Sequence, residues 1–186
     1  MTRLTAGEFQ IDIFSDPDFR RDSADNLHQY NSIYLNEDGY RSTSIFGIKV
    51  YKDAKLLNSA LIGASGGGTG VHPTGMIVEP ERLVICCSDS VFSLALPTLA
   101  LQWKTKTDDA TCFEIFKYRS DYIVHGELAV SRLSADGDLI WQQSGADIFT
   151  TLNSNEGDFV VTDSYILATD WDNRKYKFDF DGNAIR

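Results

Sequence analysis

The sequence is short of several things, and each shortage removes a class of protein. It has only three cysteines, Cys86, Cys87 and Cys112. An odd count without framework spacing excludes a disulfide scaffold. Each sits in an apolar run, Ile85-Cys86-Cys87 or Thr111-Cys112-Phe113, where a free thiol is a small buried hydrophobe and not a nucleophile. No apolar run approaches the roughly 20 residues of a membrane span. The opening MTRLTAGEFQIDIF lacks the apolar core of a signal peptide. The expectation is a chain that does not enter a membrane and stays in the cytoplasm.

Basic residues are also scarce, 17 against 27 acidic ones, for a net charge of −10. A field of that sign repels phosphate backbones and argues against a nucleic-acid partner. It attracts basic proteins and cations, and it keeps a chain in solution.

What is present points to strands. Apolar residues make up 42%, enough for a core, and aromatics 12%, which suits sheet better than a helical bundle. The 186 residues fit a single domain, 1–186, or a small repeat array. Residues 1–31 read as an irregular N-terminal segment covering a sheet. Within it Phe9, Ile11 and Ile13 alternate with polar residues like a strand. Asp16 or Ser15 with Pro17 could open a short helix. From 32 to 186 the pattern is short apolar bursts parted by turn residues, among them Glu37-Asp38-Gly39, Lys52-Asp53, Ser88-Asp89, Asp136-Gly137 and Asp181-Gly182. Asp-Gly tolerates positive φ and marks hairpins. No stretch after residue 31 has a sustained helical period, so the sheets are antiparallel.

The bursts recur. Aligning RLVICCSDSVFSLALPTLALQWKT with DYIVHGELAVSRLSADGDLIWQQ sets Trp103 on Trp141, a step of 38 residues. Thr74, Thr111 and Thr150 precede successive units, and Asp181-Gly182 answers Asp136-Gly137 after 45 residues. Four short strands per period of this length are the mark of a propeller blade. The fold class expected is all-β, with antiparallel propeller-like blades: three to four repeats, a small or partial β-propeller.

Gly137-Asp138-Leu139-Ile140-Trp141 has the Gly-x-x-x-Trp spacing of a blade's last turn and strand. In this it resembles quinoprotein-like (PQQ/WD40-type) propellers, over about residues 44–186. The resemblance implies an indole docked between neighbouring blades and says nothing of function. It has departures: Leu99 replaces the glycine before Trp103, Arg186 replaces the tryptophan after Gly182, and the units are fewer than is usual in that family.

Chemistry is sparse. The run Ser65-Gly-Gly-Gly-Thr-Gly70 lacks the lysine of a phosphate loop and is followed by His72-Pro73, so it reads as a link between blades. His125 and Glu127 fall on one strand face, and His72 is a further imidazole, but two ligands make no metal site. No Gly-x-Ser-x-Gly elbow is present. Asp170-Trp171-Asp172-Asn173-Arg174 is the densest polar cluster, a hairpin turn or an anchor for a cationic partner.

Two readings follow. The first is a non-catalytic interaction protein whose partner is a basic protein, in its concrete form an acidic immunity-type neutraliser. The second is an enzyme or small-ligand binder with an axial pocket. The residues for either role are His72, His125, Glu127, Asp147, Asp170, Trp171 and Asp172. No catalytic residue, metal or cofactor is assigned.

Overall fold

Period-two alternation becomes sheet wherever one side of a strand can be buried. The computed structural model describes residues 1–36, 41–151 and 157–185. The first sheet holds β1 (Thr2–Ala6), β2 (Phe9–Ser15), β3 (Ser32–Tyr34), β4 (Ser44–Lys52) and β5 (Lys55–Ala64) in the order β1-β2-β4-β5-β3. Ile11 lies opposite Val50, Ile13 opposite Ile48, and Ile48 opposite Ala60. All of them face one core.

The second sheet is β6 (Met76–Glu79), β7 (Arg82–Cys87), β8 (Ser90–Ala95) and β9 (Leu101–Lys106) in chain order. The third is β10 (Cys112–Tyr118), β11 (Asp121–Gly126), β12 (Ala129–Leu133) and β13 (Leu139–Ser144). The fourth is β14 (Phe159–Val161), β15 (Ile166–Thr169) and β16 (Lys175–Phe178). Beside β16, Ala184 bridges Phe178 and the Ile185 amide donates to the Lys177 carbonyl, in the place of a fourth strand. Every pairing is antiparallel except β3 on β5.

These are four blades stacked face to face. One apolar cluster fills the space between blades 1 and 2, a second that between blades 2 and 3, a third that between blades 3 and 4. A thin sheet has two apolar faces to hide, and stacking hides both. Strands β9 and β13, alternately exposed, form the outer rim, while β6 lies beside both β1 and β10 on the inner side. Among the described residues no apolar cluster joins blade 4 to blade 1. The far face of blade 1 is instead closed by the excursion between β2 and β4. There Phe19, Tyr30, Ile33 and Leu35 pack on Ile45 and Leu61.

The segment 1–31 therefore divides. Its first fifteen residues include the two inner strands of blade 1, and the remainder forms the cap. The helix expected at Asp16 does not form. The Asp16 amide donates to the Ile45 carbonyl and its carboxylate accepts from Tyr30 Oη at 2.5 Å, so its bonding goes to the sheet and the chain turns. Thr74 precedes the first strand of blade 2, which begins at Met76 after the single 3-10 turn Pro73–Gly75. Ile148 and Phe149 lie in the link before blade 4, and Glu37-Asp38-Gly39, Leu152 and Arg186 fall outside the described residues. Among the described residues no helix is long and apolar enough to cross a membrane.

The two indoles stand in matching surroundings. Trp103 Nε1 donates to the Ala135 carbonyl at 3.2 Å, and Trp141 Nε1 to the Phe180 carbonyl at 2.9 Å. Each carbonyl also accepts an arginine, Arg82 at 2.7 Å and Arg132 at 2.6 Å. The floor under each indole is the glycine of the next blade's turn: a Cβ on Gly137 would lie 2.5 Å from Trp103, and one on Gly182 2.8 Å from Trp141. Both glycines have positive φ, 87° and 86°. The Gly-x-x-x-Trp pattern thus encodes two halves of different contacts. The glycine receives the preceding blade's tryptophan, and the tryptophan docks on the following blade's glycine.

Candidate functional site

Antiparallel blades send the links between blades and the hairpins at the middle of each blade to one common end. That end carries 65–72, Ser88-Asp89, 107–111, Glu127-Leu128, 145–149 and 170–174. Every candidate residue read from the sequence is found there.

The segment Asp147–Phe149 gathers most of them. His125 Nε2 lies 2.8 Å from the Phe149 carbonyl, the Phe149 amide donates to the Glu127 carbonyl at 2.6 Å, and the Trp171 amide donates to the Ile148 carbonyl at 2.9 Å. His125, Glu127, Asp147 and the Asp170–Asp172 turn are therefore neighbours along one link. On the other side of His125, Nδ1 meets Glu114 Oε2 at 3.1 Å, directly across the strand pair. The Glu114 carboxyl sits below its ordinary range because of the His125 hydrogen bond, with Thr74 and His72 also on its side and burial opposing. His72 Nδ1 in turn lies 3.1 Å from Thr74 Oγ1. A polar relay thus runs His72–Thr74–Glu114–His125–Phe149 across three blades.

His125 is held from its faces too. Its ring stacks on Phe159 with centroids 4.0 Å apart, and Phe113 meets it edge-on. Glu127 does not share its strand face: β11 ends at Gly126 and Glu127 sits in the turn beyond. Asp170 is fully buried and accepts from the Arg174 amide, Arg174 Nη1 and Tyr176 Oη. Burial pushes its carboxyl up, but those hydrogen bonds outweigh it and hold it below the ordinary value. Arg174 also pairs with Asp172. Asp147 is exposed and caps the Ile148 amide at 2.8 Å. Trp171 stands out of this turn with 40% of its surface open, the one large aromatic among the exposed apolar residues described.

Sequence reasoning missed Glu114, Phe149 and Asp108. Asp108 is buried and accepts from the amides of Ala110, Thr111, Leu128 and Ala129 at 2.7, 3.1, 2.9 and 2.9 Å, pinning a blade link to the next hairpin. Burial nevertheless raises its carboxyl above the usual range. Its only sequence signal was an acid between two apolar strands. Burial also pushes Cys87 and Cys112 up to about 12 and Cys86 well above the ordinary thiol value. Two shallow clefts, of about 430 and 320 Å³, open at the opposite end around Gly7, Glu8, Val78 to Pro80, and Glu79 to Arg82. Neither contains a candidate residue. Among the described residues no three His, Cys, Asp or Glu side chains group as ion ligands.

No known protein family matches the sequence, and no curated protein does. Solved structures do. The computationally designed Ika8 protein is 11% identical, with a TM-score of 0.53 over 82% of this chain and 51% of its own. The designed Ika4 protein is 11% identical, with a TM-score of 0.51 over 66% of this chain and 75% of its own. BamB from Moraxella catarrhalis is 18% identical, with a TM-score of 0.48 over 82% of this chain and 47% of its own. The chain spans about half the length of Ika8 and of BamB. At 11% identity the likeness to the two designed proteins is one of fold alone, and it agrees with the four stacked sheets: the chain is an all-β, propeller-like array.

Proposed function

We propose that the chain is a non-catalytic interaction protein that takes a basic protein partner at the link end, with Trp171 as the anchor. The observation that carries this reading is the exposed indole of Trp171 on a turn fixed by buried Asp170, with exposed Asp147 and Asp172 beside it. Tryptophan on a rigid turn is a frequent hot spot, and its face attracts guanidinium and ammonium groups. Acidic turns occupy both ends of the blades, Asp109, Asp147 and Asp172 at one and Asp136, Asp163 and Asp181 at the other, so charge alone selects no face. The net charge of −10 supplies steering, and the indole selects the end.

The alternative, a pocket enzyme, has less support. His125 has both nitrogens engaged, one ring face covered by Phe159 and Phe113 set edge-on against it. In its concrete form the reading is an immunity-type protein that neutralises a basic toxin in the cytoplasm. The closer kinship to quinoprotein-like blades belongs to the same reading and concerns architecture only.

The test is affinity capture from the native host with the wild-type chain and with Trp171→Ala and Asp147→Asn/Asp172→Asn. The expected result is a basic protein held by wild type, weakened by salt and lost from Trp171→Ala. Capture that is indifferent to salt and to all three substitutions overturns the reading.

A further inference from the structure

His125 is bonded in a way that a neutral imidazole does not satisfy. Its two nitrogens both face oxygens that accept: the Glu114 carboxylate at 3.1 Å and the Phe149 carbonyl at 2.8 Å. A neutral ring carries one N–H and one lone pair. Whichever tautomer it adopts, one of these two contacts becomes lone pair against oxygen. With the Glu114 carboxyl ionised, as its lowered value keeps it, only a ring with a proton on each nitrogen makes both bonds, and it gains a charge-assisted contact to Glu114. The ring is 12% exposed at its side chain and cannot rotate to relieve a mismatch, since Phe159 lies flat on one face and Phe113 abuts its edge.

We infer that His125 is a proton-dependent pin that fastens the link Asp147–Phe149, and with it blade 4, to blade 3. The position of the pin gives it leverage. The same three-residue link accepts the Trp171 amide at Ile148 and donates from Phe149 to the Glu127 carbonyl. When the second proton leaves Nε2 and the remaining one stays on Nδ1 beside the Glu114 carboxylate, one of the two bonds that hold Phe149 is lost and the support of the Trp171 turn loosens. The charged surroundings are few. Glu114 on β10 is bonded to the ring, and His72 stands behind it at Thr74 on the 3-10 turn. Glu127 and Asp147 lie on the two segments that the ring ties together, and Asp158 precedes the stacked Phe159. The latch has a lower limit as well. The Glu114 carboxyl is held below its ordinary value, so its contribution is present above that value and is lost as pH falls through the lowered one.

Imidazole ¹⁵N NMR reads the protonation directly. Both His125 nitrogens are expected to carry protons wherever the latch is protected, and a neutral tautomer under those conditions overturns the inference. Amide exchange at Phe149 and Trp171 reads the latch. After correction for intrinsic base catalysis, protection is expected to fall about tenfold as the second proton leaves. His125→Phe keeps an aromatic ring against Phe159 without a proton, and its corrected protection should be flat with pH. His72→Asn should retain the wild-type transition. An unchanged profile in His125→Phe overturns the inference. Should that variant not fold, Glu114→Gln decides the matter by moving the transition to lower pH, and an unmoved transition counts against the pin. The consequence for partner binding rests on the reading of the Trp171 face, but the exchange and NMR measurements use the chain alone. A failure of that reading therefore leaves the pin standing, and the reverse.

Discussion

The junctions between blades 2 and 3 and between blades 3 and 4 are built alike, and the junction between blades 1 and 2 is built differently. In the first two an indole from the outer strand lies on the glycine of the next blade's turn and donates to that turn's carbonyl. At the third no indole arrives. Tyr34, on the extra strand β3, donates to the Leu99 carbonyl at 3.1 Å and accepts from the Leu101 amide at 3.1 Å, and Asn58 Nδ2 donates to the Pro97 carbonyl at 3.2 Å. Leu99 occupies the glycine's place with a φ of 58° and is completely buried. The repeat thus conserves a contact and not a residue: something aromatic from the outer strands must reach the turn of the next blade. Where the reaching group is slim, the turn itself fills the space with a leucine.

The largest effect expected from this comparison is on the indoles. Trp103→Ala and Trp141→Ala remove a large apolar body and one hydrogen bond each, and should cost about 3 kcal/mol apiece in urea unfolding. Tyr34→Phe removes only the hydroxyl and should cost about 1 kcal/mol. Equal costs at all three junctions would mean that the hydroxyl does the work of an indole, and the comparison would fail.

A second pair of substitutions tests the floor. Gly137→Ala and Gly182→Ala put a Cβ within 2.5 and 2.8 Å of an indole at positive φ, and each should cost about 2 kcal/mol. Leu99→Gly restores the repeat's own residue and relieves an unfavourable backbone. It should nevertheless destabilise by about 2 kcal/mol, because it empties a buried space that no indole is present to fill. A stabilised Leu99→Gly would show that the leucine is merely tolerated there. Thermal midpoints on the three variants settle the sign.

The sequence carried the repeat better than the roles within it. Trp103 and Trp141 were legible because two indoles 38 residues apart, each at the same distance past a turn, mark equivalent places in stacked units. Blade 1 was less legible because its third strand in sheet order, β4, is reached through an excursion of nearly thirty residues after β2, which breaks the period. Hydrophobic alternation marks which side of a strand is buried, but not which distant strand lies beside it. At the link end, His72, His125, Glu127, Asp147 and Asp170–Asp172 were recognisable as polar groups near turns. Their partners were not, because Glu114 meets His125 only in the register of β10 on β11, and Thr74 and Phe149 reach that pair only after blades have stacked. The inward commitment of His125 and Asp170 is a tertiary fact, and composition treats such a residue and an exposed one alike.

The smallest effect concerns charge, and here too the junctions differ. Between blades 2 and 3, Glu79 accepts from Arg82 at 2.7 Å, Lys117 at 2.5 Å and Tyr122 Oη at 2.9 Å. Burial raises its carboxyl, but these three donors outweigh it and leave the group below its ordinary 4.5. A lowered carboxyl contributes stability that is present above pH 4.5 and lost as the pH falls through the lowered value. Between blades 1 and 2, among the described residues, Lys104 bonds the Asn36 amide oxygen and Asn58 bonds a carbonyl, so these bonds carry one charge or none. Urea midpoints of wild type and Glu79→Gln should therefore differ at pH 6 and converge toward pH 3, while wild type and Asn36→Ala should differ by the same amount throughout. Parallel curves for Glu79→Gln would mean that the carboxylate's charge adds nothing to the second junction beyond what the amide supplies. The indole and its glycine would then account for the whole difference between the junctions.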